Sequence, residues 1–197
     1  IDMDRKTVRT EKMDVSYQKL VSTLPLNVFV GMIGDGAPVP VGSLSHNRVL
    51  VFNLGFDAPS HHKGHWYYVP DKNISFYRVG FYNNIRGEDR MNLYVEVGLP
   101  QDSDVDTEAL RAMVISDLQE VGIVTTQGLV AENMMVIDPA YVHLRSEQIP
   151  LITQLLSALS EREVYSLGRY AEWKYCSIED CILGAKNLAA RIGSKDL

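Results

Sequence analysis

The densest group of residues that could contact a ligand lies at positions 168–180, with the sequence GRYAEWKYCSIED. It combines Arg169 with three aromatic residues that we expect to be exposed: Tyr170, Trp173 and Tyr175. A guanidinium beside aromatic rings suits a flat, partly anionic ligand. The competing interpretation is an aromatic loop packed on the core of the protein, and residue types alone do not separate the two.

The end of this segment predicts the start of a helix. Ser177 is a favourable N-cap residue, and Asp180 follows three residues later, as in a capping box. The unpaired N–H groups and the dipole of such a terminus attract negative charge. Apolar residues then recur at helical spacing and predict one buried face, made of Ile178, Cys181, Ile182, Ala185, Leu188, Ala189 and Ile192. Residues 164–168 predict a short strand before the loop.

This arrangement resembles the C-terminal FAD-contacting motif of the amine oxidase-like flavoproteins, which include protoporphyrinogen oxidases, phytoene desaturases and, more distantly, UDP-galactopyranose mutases. The resemblance implies that FAD is the cofactor. It also implies that the backbone N–H groups near Ile178 and Glu179 face the pyrimidine oxygen of the flavin. The residues that it assigns to cofactor binding are Gly168, Arg169, Trp173, Ser177, Ile178, Glu179 and Asp180.

An apolar run at 20–26 predicts a buried strand that is stopped by Pro25. The run Tyr-x-x-Leu-Val-Ser-Thr-Leu-Pro-Leu resembles the segment by which these flavoproteins leave the FAD domain, close to the cofactor. No Gly-x-Gly-x-x-Gly fingerprint occurs in the sequence, and a flavoprotein of this group needs one for the pyrophosphate. The resemblance therefore implies that the chain corresponds to the C-terminal portion of a longer protein.

The middle of the chain predicts an antiparallel sheet. Residues 48–56, 65–69, 75–82 and 93–97 are rich in Val, Phe, Tyr and Leu, and turn residues separate these runs. Strand alternation predicts Tyr77 and Arg78 on opposite faces. The arginine points either to solvent or to an anionic ligand. Further apolar periodicity predicts helices at 106–121 and 147–159 and a strand at 130–137.

The runs HWYYVPD, FYR and NN at 65–84 are similar to a substrate-binding stretch of eukaryotic-type UDP-galactopyranose mutases. By this resemblance Arg78 holds a substrate diphosphate and Tyr68 lines the same pocket. Tyr141, in a segment resembling the re-entry into the FAD domain, and Tyr175 complete the implied substrate residues. The sequence departs from the mutases at Ile85, where they carry a further substrate tyrosine.

Composition limits the other possibilities. The net charge of −6 over 197 residues disfavours nucleic acid as a partner, and no apolar run approaches the length of a membrane span. We interpret His61, His62 and His65 as a polar turn and predict no metal site. The two cysteines are too few for a disulfide framework, which favours a cytoplasmic location. No residue is assigned as catalytic, and the oligomeric state stays open.

Taken together, the sequence predicts an α+β fold. An antiparallel-sheet substrate domain at 30–140 would be flanked by segments of a Rossmann-like FAD-binding domain at 1–29 and 141–197. The predicted function is that of part of an FAD flavoenzyme, acting as an isomerase of a nucleotide sugar through reduced flavin. Two alternatives remain: an FAD-dependent oxidoreductase of the amine oxidase, protoporphyrinogen oxidase or desaturase type, and a non-catalytic substrate-binding fragment. By itself, the chain is expected to be inactive.

Overall fold

A computed structural model describes residues 1–34, 42 and 44–193. The chain divides into two compact units. We call Asn47–Tyr141 the sheet unit, and Ile1–His46 together with Val142–Leu197 the terminal unit. The predicted α+β class is confirmed, with an antiparallel sheet and flanking helices. The assignment of the units to substrate and cofactor domains stays a prediction.

The sheet unit is built on five strands in the order β5-β6-β7-β4-β8. The strands are β4 (His46–Phe56), β5 (Trp66–Tyr68), β6 (Arg78–Phe81), β7 (Asn92–Pro100) and β8 (Leu129–Val142), and the helices are α2 (Tyr82–Arg86) and α3 (Thr107–Glu120). Pairing is antiparallel between β5 and β6, β6 and β7, and β7 and β4. Strand β8 is longer than the predicted 130–137, and its extension brings Tyr141 into the sheet.

The two faces of this sheet differ in chemistry because side chains alternate along β7. Leu93, Val95 and Val97 point into a core that also contains Val114 and Leu118 of α3. The alternate positions of β7 are Asn92, Tyr94 and Glu96, which therefore lie on the opposite face. One face thus builds the core, and the other carries polar and aromatic groups.

Within its described residues, the terminal unit combines short strands with three helices. They are β1 (Thr7–Arg9) and β2 (Asp14–Ser16), which pair antiparallel, β3 (Leu20–Ser22) and β9 (Val164–Ser166), which pair parallel, and helices α1 (Leu26–Ile33), α4 (Gln148–Glu161) and α5 (Ile178–Gly193). The predicted strand at 20–26 is too long, because a helix begins immediately after Pro25. Proline suits a helix start, where no N–H donor is needed. Phe29, Leu155, Leu159 and Trp173 are central members of the core.

Helix α5 corrects one prediction. It starts where the capping signal placed it, but all of its residues are described and none of them is buried. Ile178 is 81% exposed and Ile182 is 65% exposed. The apolar periodicity identified a real stripe on the helix surface, but the described part of the chain does not cover it.

Candidate functional site

The polar face of the sheet unit carries a cluster centred on Glu96 of β7. The Arg78 guanidinium donates to one oxygen of this carboxylate, and the Tyr77 hydroxyl donates to the other. The backbone explains how consecutive residues reach one partner. Tyr77 N donates to Glu96 O, while Arg78 is the register partner of the same residue. Tyr77, which immediately precedes β6, and Arg78 therefore both lie opposite Glu96, and two residues opposite one form the pattern of a β-bulge.

The bulge corrects the predicted alternation at this point. Tyr77 and Arg78 were expected on opposite faces, but both side chains reach the carboxylate of Glu96. Phe76 remains in the core of the sheet unit. The extra residue therefore re-aims Tyr77 towards the polar face without removing the preceding phenylalanine from the core.

Two tyrosine rings flank the guanidinium of Arg78. Its Cζ atom lies 6.0 Å from the centre of the Tyr68 ring and 5.8 Å from that of Tyr94. The Tyr94 ring lies across Gly80, where a Cβ atom would come within 2.0 Å of the Tyr94 ring atom Cε1. Glycine at position 80 therefore allows the ring to lie beside the arginine.

The ionisation of the cluster follows from its contacts. Burial alone lowers the pKa of Arg78, but hydrogen bonds to Glu96 and Tyr68 outweigh it, and the net pKa is raised. Burial, followed by the hydrogen bond to Glu96, raises the pKa of Tyr77. The arginine is therefore a cation, and Tyr77 keeps its proton at neutral pH. The Nε atom of Arg78 is buried and has no hydrogen-bond partner among the described residues.

Tyr141 joins the same cluster, because its side chain is one of the groups that raise the pKa of Tyr77. Its backbone N–H also donates to Asn47 Oδ1 at 2.8 Å. The structure thus brings together three residues that the sequence assigned to substrate, namely Tyr68, Arg78 and Tyr141. Their binding role stays a prediction.

Three further members of this cluster, Tyr77, Tyr94 and Glu96, were not predicted from the sequence. A signal was present, because polar and apolar residues alternate strictly in the stretch NLYVEV at 92–97. A glutamate in the middle of such a strand points to a partner on the neighbouring strand. Only the bulge, which the sequence pattern does not show, identifies Tyr77 as a second partner.

In the terminal unit, the segments at 20–26 and 168–180 are neighbours. Strand β3 pairs with β9, and Leu167 N donates to Ser22 O at 2.9 Å. The amide of Leu26 donates to Tyr170 O at 3.1 Å. Residues 20–24 also line a cavity of about 470 Å³, together with Ile1, Val8, Arg9, Phe29 and Met32. The two segments that carry most of the flavoprotein resemblance outside the sheet therefore form one local structure.

Trp173 corrects the expectation that every aromatic residue of the motif is exposed. Its side chain is only 1% exposed and belongs to the core of the terminal unit. Its ring meets that of His46 edge-on, with the ring centres 6.0 Å apart. For this residue the competing interpretation, an aromatic loop packed on the core, is the correct one. Its contact with a cofactor stays a prediction.

Arg169 and Tyr175 form the accessible part of the motif. The guanidinium lies 4.3 Å from the centre of the Tyr175 ring, and it donates to Cys176 O at 3.5 Å. Tyr175 is 72% exposed. Gly168 opens the turn with a φ of +97°, a conformation that favours glycine. Its N–H donates to Glu172 Oε2 at 2.8 Å.

The predicted capping box is confirmed at the start of α5. Ser177 N donates to Asp180 Oδ2 at 2.8 Å, and Asp180 N donates to Ser177 Oγ at 3.1 Å. Hydrogen bonds from the backbone and then the side chain of Ser177 lower the pKa of Asp180. The first N–H groups of a helix have no acceptor within the helix, and in α5 they include those of Ile178 and Glu179.

These two N–H groups are suited to a particular kind of ligand. The carboxylates of Glu179 and Asp180 lie in the same first turn and would repel a phosphate that carries full negative charge. A carbonyl oxygen or a delocalised partial charge avoids most of that repulsion. The terminus therefore suits a neutral or partly charged oxygen better than a diphosphate.

The remaining predictions concern the histidines at 61–65, metal sites and membrane spans. The His62 ring packs on those of Tyr67 and Phe81. Among the described residues there is no group of three or more His, Cys, Asp or Glu side chains that could hold a metal ion. In that part of the chain, no helix is both long and apolar enough to cross a membrane.

Comparison with known proteins gives matches in structure but not in sequence. No protein-family model and no curated protein sequence matches the chain. A reduced UDP-galactopyranose mutase superposes with a TM-score of 0.81 and 24% identity, over 89% of this chain and 40% of the mutase. A protein assigned as a protoporphyrinogen oxidase from Exiguobacterium sp. 255-15 superposes with a TM-score of 0.76 and 16% identity, over 96% of this chain and 44% of that protein.

A fatty acid isomerase from P. acnes, which produces CLA, is a third structural match. Its TM-score is 0.65 and its identity 17%, over 94% of this chain and 44% of the isomerase. The chain thus spans less than half the length of each of these proteins. The predicted resemblance to the amine oxidase-like flavoproteins is confirmed at the level of the fold.

Proposed function

We propose that this chain is part of an FAD-dependent flavoenzyme of the amine oxidase-like group. The observation that carries the proposal is the meeting of the segments 20–26 and 168–180 through β3, β9 and the Leu26–Tyr170 hydrogen bond. Both segments resemble cofactor-proximal segments of that group, and they are adjacent in a fold that the group shares.

The described residues of the terminal unit offer groups for one end of FAD. Arg169, stacked on Tyr175, and the N–H groups of Ile178 and Glu179 would hold the flavin ring system. The sequence contains no glycine-rich fingerprint for the pyrophosphate. When bound, the flavin would supply redox chemistry that amino-acid side chains lack. We therefore expect this chain alone to bind flavin poorly and to be inactive.

For the substrate, we infer a nucleotide sugar that is isomerised with the flavin in its reduced form. The support is the cluster of Tyr68, Arg78 and Tyr141 on the polar face of the sheet unit. The two rings beside Arg78 offer stacking surfaces. The guanidinium can donate to phosphate oxygens in a fork geometry that lysine cannot provide.

One observation favours a second candidate, an FAD-dependent oxidoreductase with an uncharged substrate. The charge of Arg78 is already balanced by Glu96, whose side chain is 10% exposed. A diphosphate would place further negative charge beside that carboxylate. The two candidates therefore differ in whether Arg78 serves the ligand or only positions Glu96 and the tyrosines.

The deciding experiment uses the complete reading frame that encodes this chain, purified with its flavin. Oxidised and dithionite-reduced samples are incubated with UDP-galactose and with UDP-galactofuranose, and interconversion is followed by chromatography. Conversion only in the reduced sample supports the isomerase. Absence of conversion in both samples rejects it and moves the search to substrates that bleach the flavin.

Two variants test whether Arg78 contacts the substrate. Arg78→Ala should lower conversion by at least about a hundredfold, since a lost charge-assisted contact to the substrate costs several kcal/mol. The matched control is Arg111→Ala, which removes another arginine of the sheet unit that is paired with a glutamate, Glu132, at 2.7 Å. Equal activity in the two variants would contradict the proposed role of Arg78.

A further inference from the structure

The two cysteines of the chain lie on either side of the capping box that starts α5. Cys176 precedes the N-cap residue Ser177, and Cys181 follows Asp180. In helix nomenclature these are the N′ and N4 positions, where apolar side chains commonly touch and fix the direction in which the chain enters the helix. The structure shows this contact between two thiols, whose sulfur atoms are 3.7 Å apart.

The surroundings favour chemistry between these two sulfurs rather than with distant partners. Both cysteines are free and half-buried. The capping box fixes the four-residue segment between them, and Arg169 also donates to Cys176 O. Each sulfur must move by only about 1 Å to reach the S–S bonding distance of roughly 2.05 Å. Small side-chain rotations can provide that movement.

We propose that Cys176 and Cys181 form a reversible redox site that a small-molecule disulfide, such as oxidised glutathione, converts into an intrachain disulfide. This site goes beyond the proposed enzymatic function and does not depend on it. Its chemical consequence is local: a covalent bond would replace the contact between the two thiols at the N-terminus of α5.

The reaction balances in two exchange steps. One cysteine thiolate attacks a sulfur of oxidised glutathione, forms a mixed disulfide and releases one glutathione thiolate, which takes up a proton. The thiolate of the second cysteine then attacks the cysteine sulfur of the mixed disulfide and releases the second glutathione. The cysteine pair loses two electrons and two protons, and the glutathione disulfide gains them.

Charged groups near the pair act in both directions. Burial and then the hydrogen bond to Cys181 raise the pKa of Cys176, and Asp180 acts in the same sense, whereas the Lys174 ammonium lowers it. Lys174 is itself held by Glu172 at 2.9 Å. Since the thiolate is the attacking species, we expect oxidation to become faster as the pH rises above neutrality.

The test measures the equilibrium between the fully reduced 197-residue chain and glutathione buffers of defined composition. After acid quenching, free thiols are alkylated and the intact mass is determined. Because the chain has only two cysteines, a species with neither alkyl groups nor glutathione contains the internal disulfide. We expect this species to dominate, and dithiothreitol should reverse it. Cys176→Ser and Cys181→Ser should each stop at the mixed disulfide.

Any two cysteines five residues apart can form a disulfide in an unfolded chain, so the same equilibrium is measured in urea. The equilibrium constant should be at least about tenfold larger in the folded chain. Ser177→Ala, which opens the capping box, should reduce it about fivefold, the factor that corresponds to one lost N-cap interaction. An equal constant in folded and unfolded chains, or stable mixed disulfides at both cysteines, would overturn the proposal and leave a purely apolar contact.

Discussion

Two helices, one from each unit, bury apolar surface to different extents. In the sheet unit, Val114 and Leu118 of α3 are fully buried in the core. In the terminal unit, α5 has an apolar stripe that includes Ile178 and Ile182, but none of its residues is buried. An apolar periodicity shows which side of a helix can be covered. It does not show whether the covering residues belong to the same stretch of chain.

The sheets of the two units differ in the same way. The sheet unit has five strands, and one of its faces is filled by a continuous core. The terminal unit has a parallel pair, β3 and β9, with three residues in each strand. Parallel strands are usually covered on both faces, and two-stranded sheets are of marginal stability. We therefore expect the sheet unit to be the more stable of the two.

The largest effect is expected when one apolar side chain is removed from each unit in turn. Phe52→Ala should lower the free energy of unfolding of the sheet unit by about 3–5 kcal/mol, because the side chain is only 1% exposed. Ile182→Ala in α5 should change the stability by less than about 0.5 kcal/mol. Urea unfolding of both variants measures the difference. Similar losses would show that α5 is covered in solution.

A second test compares two ion pairs of the sheet unit. Glu96→Gln leaves Arg78 without its counter-charge and should cost about 1–3 kcal/mol, below the value for a fully buried pair because the arginine side chain is 25% exposed. Glu132→Gln breaks the more exposed pair with Arg111 and should cost less than about 1 kcal/mol. Thermal unfolding of the two variants ranks their losses of stability. A larger loss in Glu132→Gln would contradict the central position of Glu96.

A third test uses two glycines of the polar face. In Gly80→Ala the new methyl group collides with the Tyr94 ring, so we expect displacement of that ring and a loss of about 1–2 kcal/mol. In the matched control, Gly98→Ala, the methyl group meets only the Tyr77 ring at 3.9 Å and should be tolerated. NMR shifts of the tyrosine rings report the displacement. If the Tyr94 ring keeps its position in Gly80→Ala, the backbone at position 80 must have moved instead.

The smallest expected effect concerns the start of α5. Since the pKa of Asp180 is lowered by its bonds from Ser177, its contribution is present above the pKa of an unfolded aspartate, about 4. It is lost as the pH falls through the folded-state pKa. Amide exchange in the first turn should therefore be faster in Asp180→Asn than in the wild type at pH 6. The difference should shrink as the pH falls below about 4 and the carboxylate becomes protonated, and a constant difference would contradict the assignment.

Much of the fold could be predicted because its signals are local. The strand at 93–97 and the capping box at Ser177 are indicated by neighbouring residues in the sequence, and both are confirmed. The burial of Trp173 could not be predicted, since it depends on distant residues such as Phe29 and Leu155. The hydrogen bonds from both Tyr77 and Arg78 to Glu96 depend on a bulge. A strict alternation of faces along the strand does not predict such a bulge.

The placement of Trp173 also has a practical consequence for spectroscopy. The chain has only two tryptophans, and each unit contains one of them. Trp173 is buried in the terminal unit, whereas Trp66, in the sheet unit, is 53% exposed. Iodide should therefore quench the fluorescence of Trp66 selectively, and a Trp66→Phe variant would emit from Trp173 alone. The melting of each unit can thus be recorded by its own intrinsic fluorophore, without a label.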